Sequence, residues 1–306
     1  MPLEEKINLA KRRIREWYEY WEGEVYISFS GGKDSTVLLH LVKDLYPDVP
    51  AVFVDTGLEF PEVRTFARAN ADIVLKPKMR FDEVIKKYGY PVISKEQALY
   101  IYEYRNTKSK KLRHKRLYGD EKGGYKISKK WQKLINSDFN ISNHCCNIMK
   151  KNPFKQYEKK TGKKCIVGTM AEEGSLRKNE YIRNGCNAFN SSRPISKPLS
   201  VWTEQDILKY LSKYDIPYAS VYGEIKQDDN DRYYCTGRDR TGCVFCGFGC
   251  HLEPESNRFQ QLKETHPKLY NYCIGGGCYD DRGLWVPNKE GLGMGHVLDE
   301  IGVKYD

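Results

Sequence analysis

The sequence predicts an α/β protein with a doubly wound parallel sheet, because short β-branched or aromatic runs alternate with helical patterns. Three of these runs are expected to be buried strands: Val25–Phe29, Ala51–Val54 and Ile73–Leu75. A helical apolar pattern at residues 35–45 separates the first two, and Pro61 suits the first turn of a helix between the second and third. Crossover helices of this kind join parallel strands.

An amphipathic helix is predicted before the first strand, and the alternation resumes late in the chain. Apolar side chains recur at steps of three and four from Leu3 to Trp21, and Gly23 ends this helix. A later helix after Pro153, a strand at 165–170 and a helix near 203–213 are expected. We therefore predict three parts: an N-terminal helix (1–23), an α/β domain (24–225) with a basic insertion at about 105–143, and a Cys-rich C-terminal extension (226–306).

The composition indicates a folded cytoplasmic protein. With 306 residues and 40% hydrophobic content, the chain can bury a core. No stretch approaches the length of an apolar membrane span, and the first residues lack the apolar region of a secretory signal, so no membrane partner is expected. Ten cysteines in a cytoplasmic protein indicate metal ligation or redox chemistry rather than disulfides.

The net charge of +10 is concentrated in one segment. Between Arg105 and Lys133 the chain has twelve Lys or Arg residues and two acidic ones, a local balance of +10. Tyr118, Tyr125 and Trp131 are interleaved with these cations, which fits nucleic-acid binding, although a solvated charge run is the common alternative. We expect this segment to form an insertion or mobile arm.

The first predicted strand leads into a glycine turn of the kind that binds phosphate. Two glycines allow the backbone to approach an anion closely, N–H groups at a helix start cradle it, and a lysine adds positive charge. The predicted phosphate-binding residues are Ser30, Gly31, Gly32, Lys33, Asp34, Ser35 and Thr36. Lys33 and Asp34 are the candidate catalytic residues among them.

Two cysteine pairs, about a hundred residues apart, form a second candidate site. The predicted metal ligands are Cys145, Cys146, Cys243 and Cys246. Four thiolates suit a [4Fe–4S] cluster or zinc, but adjacent ligands are unusual in structural zinc sites. Cys235 and Cys250 flank the second pair and are alternative ligands.

These motifs resemble the phosphoadenylyl-sulfate reductase family, a branch of the PP-loop ATP pyrophosphatases in the adenine nucleotide alpha hydrolase-like superfamily. Residues 30–35 resemble the pyrophosphate loop, and residues 55–62 resemble the family's DTG…FPE stretch. Residues 145–153 are similar to Cys-Cys-x-x-Arg-Lys-x-x-Pro, and residues 242–246 match the closing Gly-Cys-x-x-Cys. The resemblance covers about residues 24–250 and implies that the α/β domain binds an adenine nucleotide.

The resemblance also implies roles for individual residues. Seven further nucleotide-binding residues are expected: Asp55, Thr56, Gly57, Gly168, Glu172, Glu173 and Arg177. The four cysteines are implied to hold a [4Fe–4S] cluster beside the nucleotide, which would be ATP, adenylyl sulfate (APS) or its 3′-phosphorylated form (PAPS), with Mg²⁺ near Asp34. Lys150 lies one helical turn beyond the cysteine pair, and we expect it to offset negative charge in catalysis.

The sequence departs from the reductase pattern at several positions. Reductases of the family end in a tail with a nucleophilic cysteine, and this sequence ends GMGHVLDEIGVKYD. Met149 and Met170 replace two arginines, and Gly174 replaces a serine. Arginine forks bind sulfate and phosphate oxygens in a way that methionine does not. Cys273 and Cys278 would have to supply a nucleophile or redox pair; the alternative is a glycine-rich surface turn with incidental cysteines.

The preferred hypothesis is an ATP-using sulfur-transfer enzyme that releases pyrophosphate while thiolating nucleic acid, with a sulfur donor protein such as a cysteine desulfurase. The first alternative is a thioredoxin-dependent reductase of APS or PAPS that produces sulfite. The second is a non-catalytic nucleotide-binding module in which the cluster is structural.

Overall fold

The computed structural model describes all 306 residues. The helices are α1 (Leu3–Tyr20), α2 (Lys33–Leu45), α3 (Pro61–Asn70), α4 (Phe81–Tyr88), α5 (Lys95–Asn106), α6 (Lys110–Tyr118), α7 (His144–Cys146), α8 (Asn152–Thr161), α9 (Ser175–Asn184), α10 (Glu204–Lys213), α11 (Arg258–Thr265), α12 (Pro267–Ile274) and α13 (Met294–Ile301). The strands are β1 (Val25–Phe29), β2 (Ala51–Val54), β3 (Ile73–Leu75), β4 (Val92–Ile93), β5 (Lys164–Val167), β6 (Asn187–Ala188), β7 (Ile195–Ser196), β8 (Ile225–Gln227), β9 (Tyr233–Cys235), β10 (Gly247–Phe248), β11 (Cys278–Tyr279) and β12 (Trp285–Val286).

A six-stranded sheet in the order β3-β2-β1-β5-β7-β6 forms the centre of the α/β fold. All its neighbouring strands are parallel except β6, which pairs antiparallel with β7. The prediction of an α/β fold with a parallel sheet is therefore confirmed. The first three strands match their predicted bounds, whereas β5 ends at Val167 instead of Met170.

One apolar core holds α1, α2 and α10 with the central strands. Trp17, Ile27, Leu38 and Trp202 are all almost completely inaccessible to solvent in this core. The strands β1 and β2 are buried along almost their whole length, as expected of a sheet covered by helices. This packing fixes the carboxyl end of β1, from which the phosphate loop emerges.

The chain divides into two compact units, and each consists of two segments. The first unit comprises residues 1–76 and 153–242, and the second comprises residues 77–152 and 243–306. This division differs from the one predicted from the sequence, which placed boundaries near residues 23 and 225. Motifs separated by a hundred residues of sequence therefore share a unit.

The second unit contains the basic segment, about half of which is helical. It forms α6 and a 3₁₀ helix at Lys129–Asn136. Ile127, Trp131 and Leu134 are buried and anchor the segment. The segment expected to be an insertion or mobile arm therefore contains helices and three buried apolar side chains.

None of the helices combines the length and apolar composition that crossing a bilayer requires.

Candidate functional site

The phosphate loop of the first unit is a braced turn between β1 and α2. The hydroxyl of Ser35 donates to the Gly32 carbonyl at 2.9 Å and accepts from the Ser30 N–H at 3.2 Å. Gly31 has a φ of +75°, and a Cβ there would lie 2.9 Å from both the Ala67 Cβ and the Val63 carbonyl oxygen. The loop therefore lies directly against α3, and only glycine fits at position 31.

Lys33, the first residue of α2, is buried with its ammonium group in a polar surrounding. Its Nζ lies 3.2 Å from a carboxylate oxygen of Glu204 and 3.6 Å from the sulfur of Cys235. It also lies 5.0 Å from the centre of the Tyr222 ring. Because a buried ammonium needs compensation, the glutamate and the aromatic face stabilise its charge in the absence of an anion.

A cavity of about 160 Å³ opens beside the loop. It is lined by Ser30, Gly32, Lys33, Asp34, Met170, Glu173, Glu204, Tyr222, Asp239, Arg240 and Thr241. Sites for whole cofactors typically measure about 300–1,000 Å³, so this cavity suits the phosphate end of a nucleotide. Burial raises the pKa of the Asp34 carboxyl, although the charges of Lys33 and Arg240 oppose that shift.

The predicted nucleotide contacts at residues 55–57 are occupied within the protein. The Asp55 carboxylate accepts from Arg64 Nε at 2.7 Å and from Arg68 Nε at 2.8 Å. Burial alone would raise the pKa of Asp55, but hydrogen bonds from these two arginines outweigh it, and the net shift is downward. The Thr56 hydroxyl donates to Glu59 at 2.7 Å. These two side chains shape the end of β2, whereas Gly57 (φ +72°) borders open space, with no atom within 4 Å of the point that a Cβ would occupy.

The residues predicted between 168 and 177 support the loop from the opposite side. A Cβ on Gly168 would lie 2.8 Å from the Asp34 carbonyl oxygen, so the chain here touches the start of α2. Glu172 accepts from the backbone N–H of Glu204 at 2.5 Å, at the first residue of α10. Glu173 lines the cavity and forms an ion pair with Arg177. Met170, which stands at a family arginine position, also lines the cavity.

Sequence reasoning missed the side chains that the residues after Thr203 contribute to the cavity. Glu204 begins α10, and Tyr222, Asp239 and Arg240 flank the antiparallel hairpin of β8 and β9. The hairpin also brings Cys235 to Lys33, so this cysteine is a neighbour of the phosphate loop. The local sequence of a hairpin carries no information on which distant loop the hairpin packs against.

The four predicted metal ligands all belong to the second unit. The sulfur atoms of Cys145 and Cys146 lie 4.0 Å apart at α7. Cys243 and Cys246 form a turn in which the Cys246 N–H donates to the Cys243 carbonyl at 3.1 Å. The hydrogen bond to Cys146, burial and the charges of Cys146, Cys246 and Cys243 all raise the pKa of Cys145. The structure thus brings the two pairs within electrostatic reach of each other.

Positive charge surrounds this cysteine group. The hydrogen bond from Cys145 lowers the pKa of Cys146 most, and the charges of Lys95, Lys150 and Lys151 lower it further. Lys150 therefore acts on the cysteines of its own unit, while Lys33 and Asp34 belong to the other unit. Lysines near thiolates offset the negative charge that four thiolates accumulate.

The four grouped cysteines can be compared with the ligands of the two candidate metal centres, a zinc ion and a [4Fe–4S] cluster. No group of three or more His, Cys, Asp or Glu side chains is arranged to hold a single metal ion. Four thiolates on one zinc ion would form such a group, whereas the thiolates of a [4Fe–4S] cluster bind four different iron atoms and stand farther apart. Four grouped thiolates suit either centre by ligand type, and the [4Fe–4S] cluster stays a prediction.

The remaining cysteines differ in exposure. Cys165, Cys186, Cys250 and Cys273 are buried, and the Cys250 thiol donates to the Gly247 carbonyl at 3.0 Å. Burial raises the pKa of Cys273. Cys278 is exposed, the one cysteine of ten in that class.

A parallel α/β sheet with a phosphate loop at the end of β1 defines a nucleotide-binding protein of the PP-loop class. The chain belongs to the phosphoadenosine phosphosulfate reductase domain family, whose model matches residues 24–251. An uncharacterised protein of Methanocaldococcus jannaschii is 24% identical over 278 residues, which are 85% of this chain and 50% of that protein. The chain thus spans half the length of this relative.

Two reductases are also similar to this chain. An adenosine 5′-phosphosulfate reductase of Bacillus cereus is 25% identical over 205 residues, which are 67% of this chain and 70% of the reductase. The crystal structure of a phosphoadenylyl-sulfate reductase from Candida auris, a phosphate complex, aligns with 76% of this chain and 98% of its own. Its identity is 16% and its TM-score 0.39, so this overlap assigns no function.

Proposed function

We propose that this protein is an adenine-nucleotide-dependent enzyme that activates an oxygen of a nucleic acid with ATP and then replaces that oxygen with sulfur. The observation that carries the proposal is the phosphate loop, with buried Lys33 at the wall of a charged cavity of about 160 Å³. Membership of the family supports nucleotide use. The substituted Met149 and Met170 favour a reaction other than sulfate reduction, because neither side chain can bind a sulfate oxygen.

The activation step uses groups of the first unit. The acceptor oxygen attacks the α-phosphorus of ATP, the bond from that phosphorus to its bridging oxygen breaks, and pyrophosphate leaves. Lys33 and the N–H groups at the start of α2 stabilise the negative charge on the departing phosphates. Mg²⁺ would be held by phosphate oxygens together with Asp34, since this ion commonly takes only one or two protein carboxylates.

The second step exchanges oxygen for sulfur without a change of oxidation state. A donor protein supplies sulfur at the oxidation level of hydrosulfide. This sulfur attacks the carbon whose oxygen now carries AMP. A C–S bond forms, the C–O bond breaks, and AMP leaves with that oxygen. Cys145, Cys146, Cys243 and Cys246 are the residues that would hold a [4Fe–4S] cluster in the second unit. With a thiolate on each of its four irons, such a cluster would supply electron-transfer chemistry or structural support when bound.

A nucleic-acid acceptor is supported by the basic segment of the second unit. Nine of its twelve cations are exposed: Lys108, Lys110, Lys111, Arg113, Lys122, Lys126, Lys129, Lys130 and Lys133. Displacement of counterions from phosphates by such cations is the main source of non-specific affinity for nucleic acid. The segment therefore provides the electrostatic attraction that a polyanionic acceptor requires.

The proposal is tested by pyrophosphate release. Anaerobically purified, iron-loaded protein is incubated with ATP, Mg²⁺ and total RNA or genomic DNA, and pyrophosphate is measured. We expect release that depends on the nucleic acid and falls at least about a hundred-fold in Lys33→Ala. Nucleotide binding without release under any of these conditions would favour a non-catalytic binding module instead.

A second candidate is thioredoxin-dependent reduction of APS or PAPS, and the exposure of Cys278 is the observation that favours it. In this reaction a thiolate attacks the sulfate sulfur, the nucleotide leaves, and thioredoxin releases sulfite by reducing the resulting bond. Buried Cys273 is less suited to that attack than Cys278. Sulfite release from either substrate that is lost in Cys278→Ser but retained in Cys273→Ala would establish this alternative.

A further inference from the structure

The basic segment presents one continuous surface, formed by α6 and the loop 119–126; we call it the α6 surface. The helix has the sequence KKLRHKRLY and contains no acidic residue. Its loop contains two acids, and the Asp120 carboxylate accepts from the N–H groups of Gly124 at 2.8 Å and Lys122 at 3.2 Å. The Asp120 carboxylate keeps its charge, but seven Lys or Arg residues face two acidic ones over residues 110–126, so the surface is strongly positive.

One cation of the α6 surface is used to hold it in place. Arg116 is buried, donates to Glu103 at 2.6 Å and to the Tyr125 carbonyl at 2.9 Å, and lies 4.1 Å from the centre of the Tyr100 ring. The N–H of Ile127 returns a bond to the Arg116 carbonyl at 2.7 Å. The loop is therefore fixed to α5 and α6 through Arg116, and the exposed cations of the surface are left for solvent or a ligand.

Two tyrosine rings stand out from the same surface. Tyr118 is 63% exposed and Tyr125 is 56% exposed, although soluble proteins usually cover large aromatic side chains at least partly. The ammonium of Lys115 lies 4.2 Å from the centre of the Tyr125 ring, and the His114 ring lies 4.7 Å from that of Tyr118. Each ring thus projects beside a cationic or polar neighbour.

Tyr125 is also held in an uncommon backbone conformation. Its φ is +61°, in the left-handed region that non-glycine residues seldom adopt. The turn closed by the bond from the Asp120 N–H to the Gly124 carbonyl at 3.0 Å leads directly into this residue. Backbone strain of this kind commonly accompanies functional positions, and here it accompanies an exposed ring.

We infer that the α6 surface binds unpaired nucleotides of a single-stranded polynucleotide, with cations on the phosphates and Tyr118 and Tyr125 stacked on bases. Bases inside a duplex are already stacked on each other and offer no face to a protruding tyrosine, whereas unpaired bases do. Lysines and arginines alone would serve a duplex equally well. The two exposed rings are therefore the feature that selects the single-stranded form. The inference rests on the proposed function and deepens it, since it names the form of the acceptor.

The test is equilibrium binding of fluorescent oligonucleotides to the iron-loaded full-length protein, without ATP. The probes are a 20-nucleotide single-stranded RNA, the DNA of the same sequence and the two corresponding duplexes. We expect either single strand to bind at least about ten-fold more tightly than its duplex, because stacking contributes at each base. The preferred single strand then distinguishes RNA from DNA as the source of the ligand.

Variants separate stacking from charge. Tyr118→Ala and Tyr125→Ala should each weaken single-strand binding about ten-fold, and Tyr118→Phe and Tyr125→Phe should retain it, because the phenyl ring still stacks. Replacing Lys110, Lys111 and Arg113 by Gln together should reduce the salt dependence, expressed as the slope of log K against log salt, by about two. The matched control replaces three exposed lysines of α8, Lys155, Lys159 and Lys160, by Gln and should leave both readouts unchanged.

Several results would overturn the inference. Duplex binding as tight as single-strand binding would do so, as would equal losses in the Phe and Ala variants or an equal loss in the α8 control. The melting temperature of each variant shows whether it folds. If the Ala variants do not fold, the Phe variants still test whether the aromatic ring is sufficient for binding. Pyrophosphate release is a separate readout: tight single-strand binding without release would contradict the proposed reaction but not the α6 surface.

Discussion

The ammonium nitrogen of Lys33 lies 3.6 Å from the sulfur of Cys235, in the interior of the first unit. The same ammonium has Glu204 at 3.2 Å, so a glutamate and a thiol occupy two sides of the lysine that is predicted to meet phosphate. A phosphate that enters the cavity must compete with this carboxylate for Lys33. Substitutions of the glutamate and of the cysteine should therefore change anion binding in different ways.

Glu204→Gln should increase the affinity for inorganic pyrophosphate several-fold. The substitution removes a negative charge 3.2 Å from the Lys33 ammonium and keeps the shape of the side chain. Calorimetric titration of the wild type and the variant with pyrophosphate measures the change. Glu224→Gln, at an exposed glutamate of the same unit, is the control. Weaker binding in Glu204→Gln would mean that the glutamate orients Lys33 for the anion.

Cys235→Ser should bind nucleotide within a few-fold of wild type, and Cys235→Phe should bind it at least about ten-fold more weakly. Serine preserves a small polar neighbour for Lys33, whereas a ring at this buried position displaces the lysine, because packed interiors do not accept such added volume without movement. Binding of a fluorescent ATP analogue measures both. An unchanged affinity in Cys235→Phe would show that the Lys33 contact with this sulfur is unimportant.

Gly31→Ala should lower the free energy of unfolding by about 2–4 kcal/mol and abolish nucleotide binding, because a Cβ would lie 2.9 Å from the Val63 carbonyl of α3 at a φ of +75°. Gly162→Ala is the matched control, since its φ is +78° and nothing lies within 4 Å of its Cβ position. That control should cost about 1 kcal/mol and leave binding intact. Urea denaturation measures the stabilities; equal losses in the two variants would contradict the close contact of loop and helix.

Asp55→Asn should destabilise the protein at pH 7 by about 2 kcal/mol, and the difference should shrink as the pH falls below about 4. The hydrogen bonds of Arg64 and Arg68 hold the pKa of Asp55 below its ordinary value despite burial. A carboxyl with a depressed folded pKa contributes stability above the unfolded pKa of about 3.9, and that contribution is lost as the pH falls through the folded pKa. Melting temperatures of both proteins across this pH range measure the effect. A difference that does not shrink with falling pH would contradict this account.

Replacing Cys145 and Cys146 by Ser should remove most of the bound iron and sulfide, and replacing Cys243 and Cys246 should do the same. Thiolate ligands from both pairs are needed to hold one [4Fe–4S] cluster. Cys278→Ser is the control, because this cysteine is exposed and is not one of the four predicted ligands. Iron, sulfide and zinc are measured on anaerobically purified proteins. Zinc in place of iron, or metal retained after either double replacement, would disprove the predicted cluster.

Local patterns in the sequence are sufficient to predict the sheet and the phosphate loop. The structure of Val25–Phe29 and of the glycine turn after it depends on neighbouring residues, so the strand and the turn are predicted at their observed positions. The arrangement around Lys33 is not predictable in this way. Glu204 and Cys235 reach it from about 170 and 200 residues away, and no periodicity records which distant segment packs on a loop.

The basic segment shows a different limit of sequence analysis. Its lysines dominate any average of hydropathy, so the sequence suggests an insertion or mobile arm, whereas the structure has helices and three buried apolar side chains in this segment. Ile127, Trp131 and Leu134 follow a spacing of four and three, which is a helical signal that the surrounding charge obscures. The grouping of Cys145 with the later cysteines is expected from the resemblance to a family, and the sequence spacing alone does not require it.

The chain passes between the two units at residues 76, 152 and 242, so neither unit consists of a single stretch of sequence. During synthesis, about a hundred residues must follow Cys146 before Cys246 emerges. At about 5–20 residues per second this takes on the order of 5–20 s, during which the first pair of thiols has no partners. The predicted set of four thiolate ligands is complete only after Cys246 has emerged, so the predicted cluster would be assembled late in translation or after release from the ribosome.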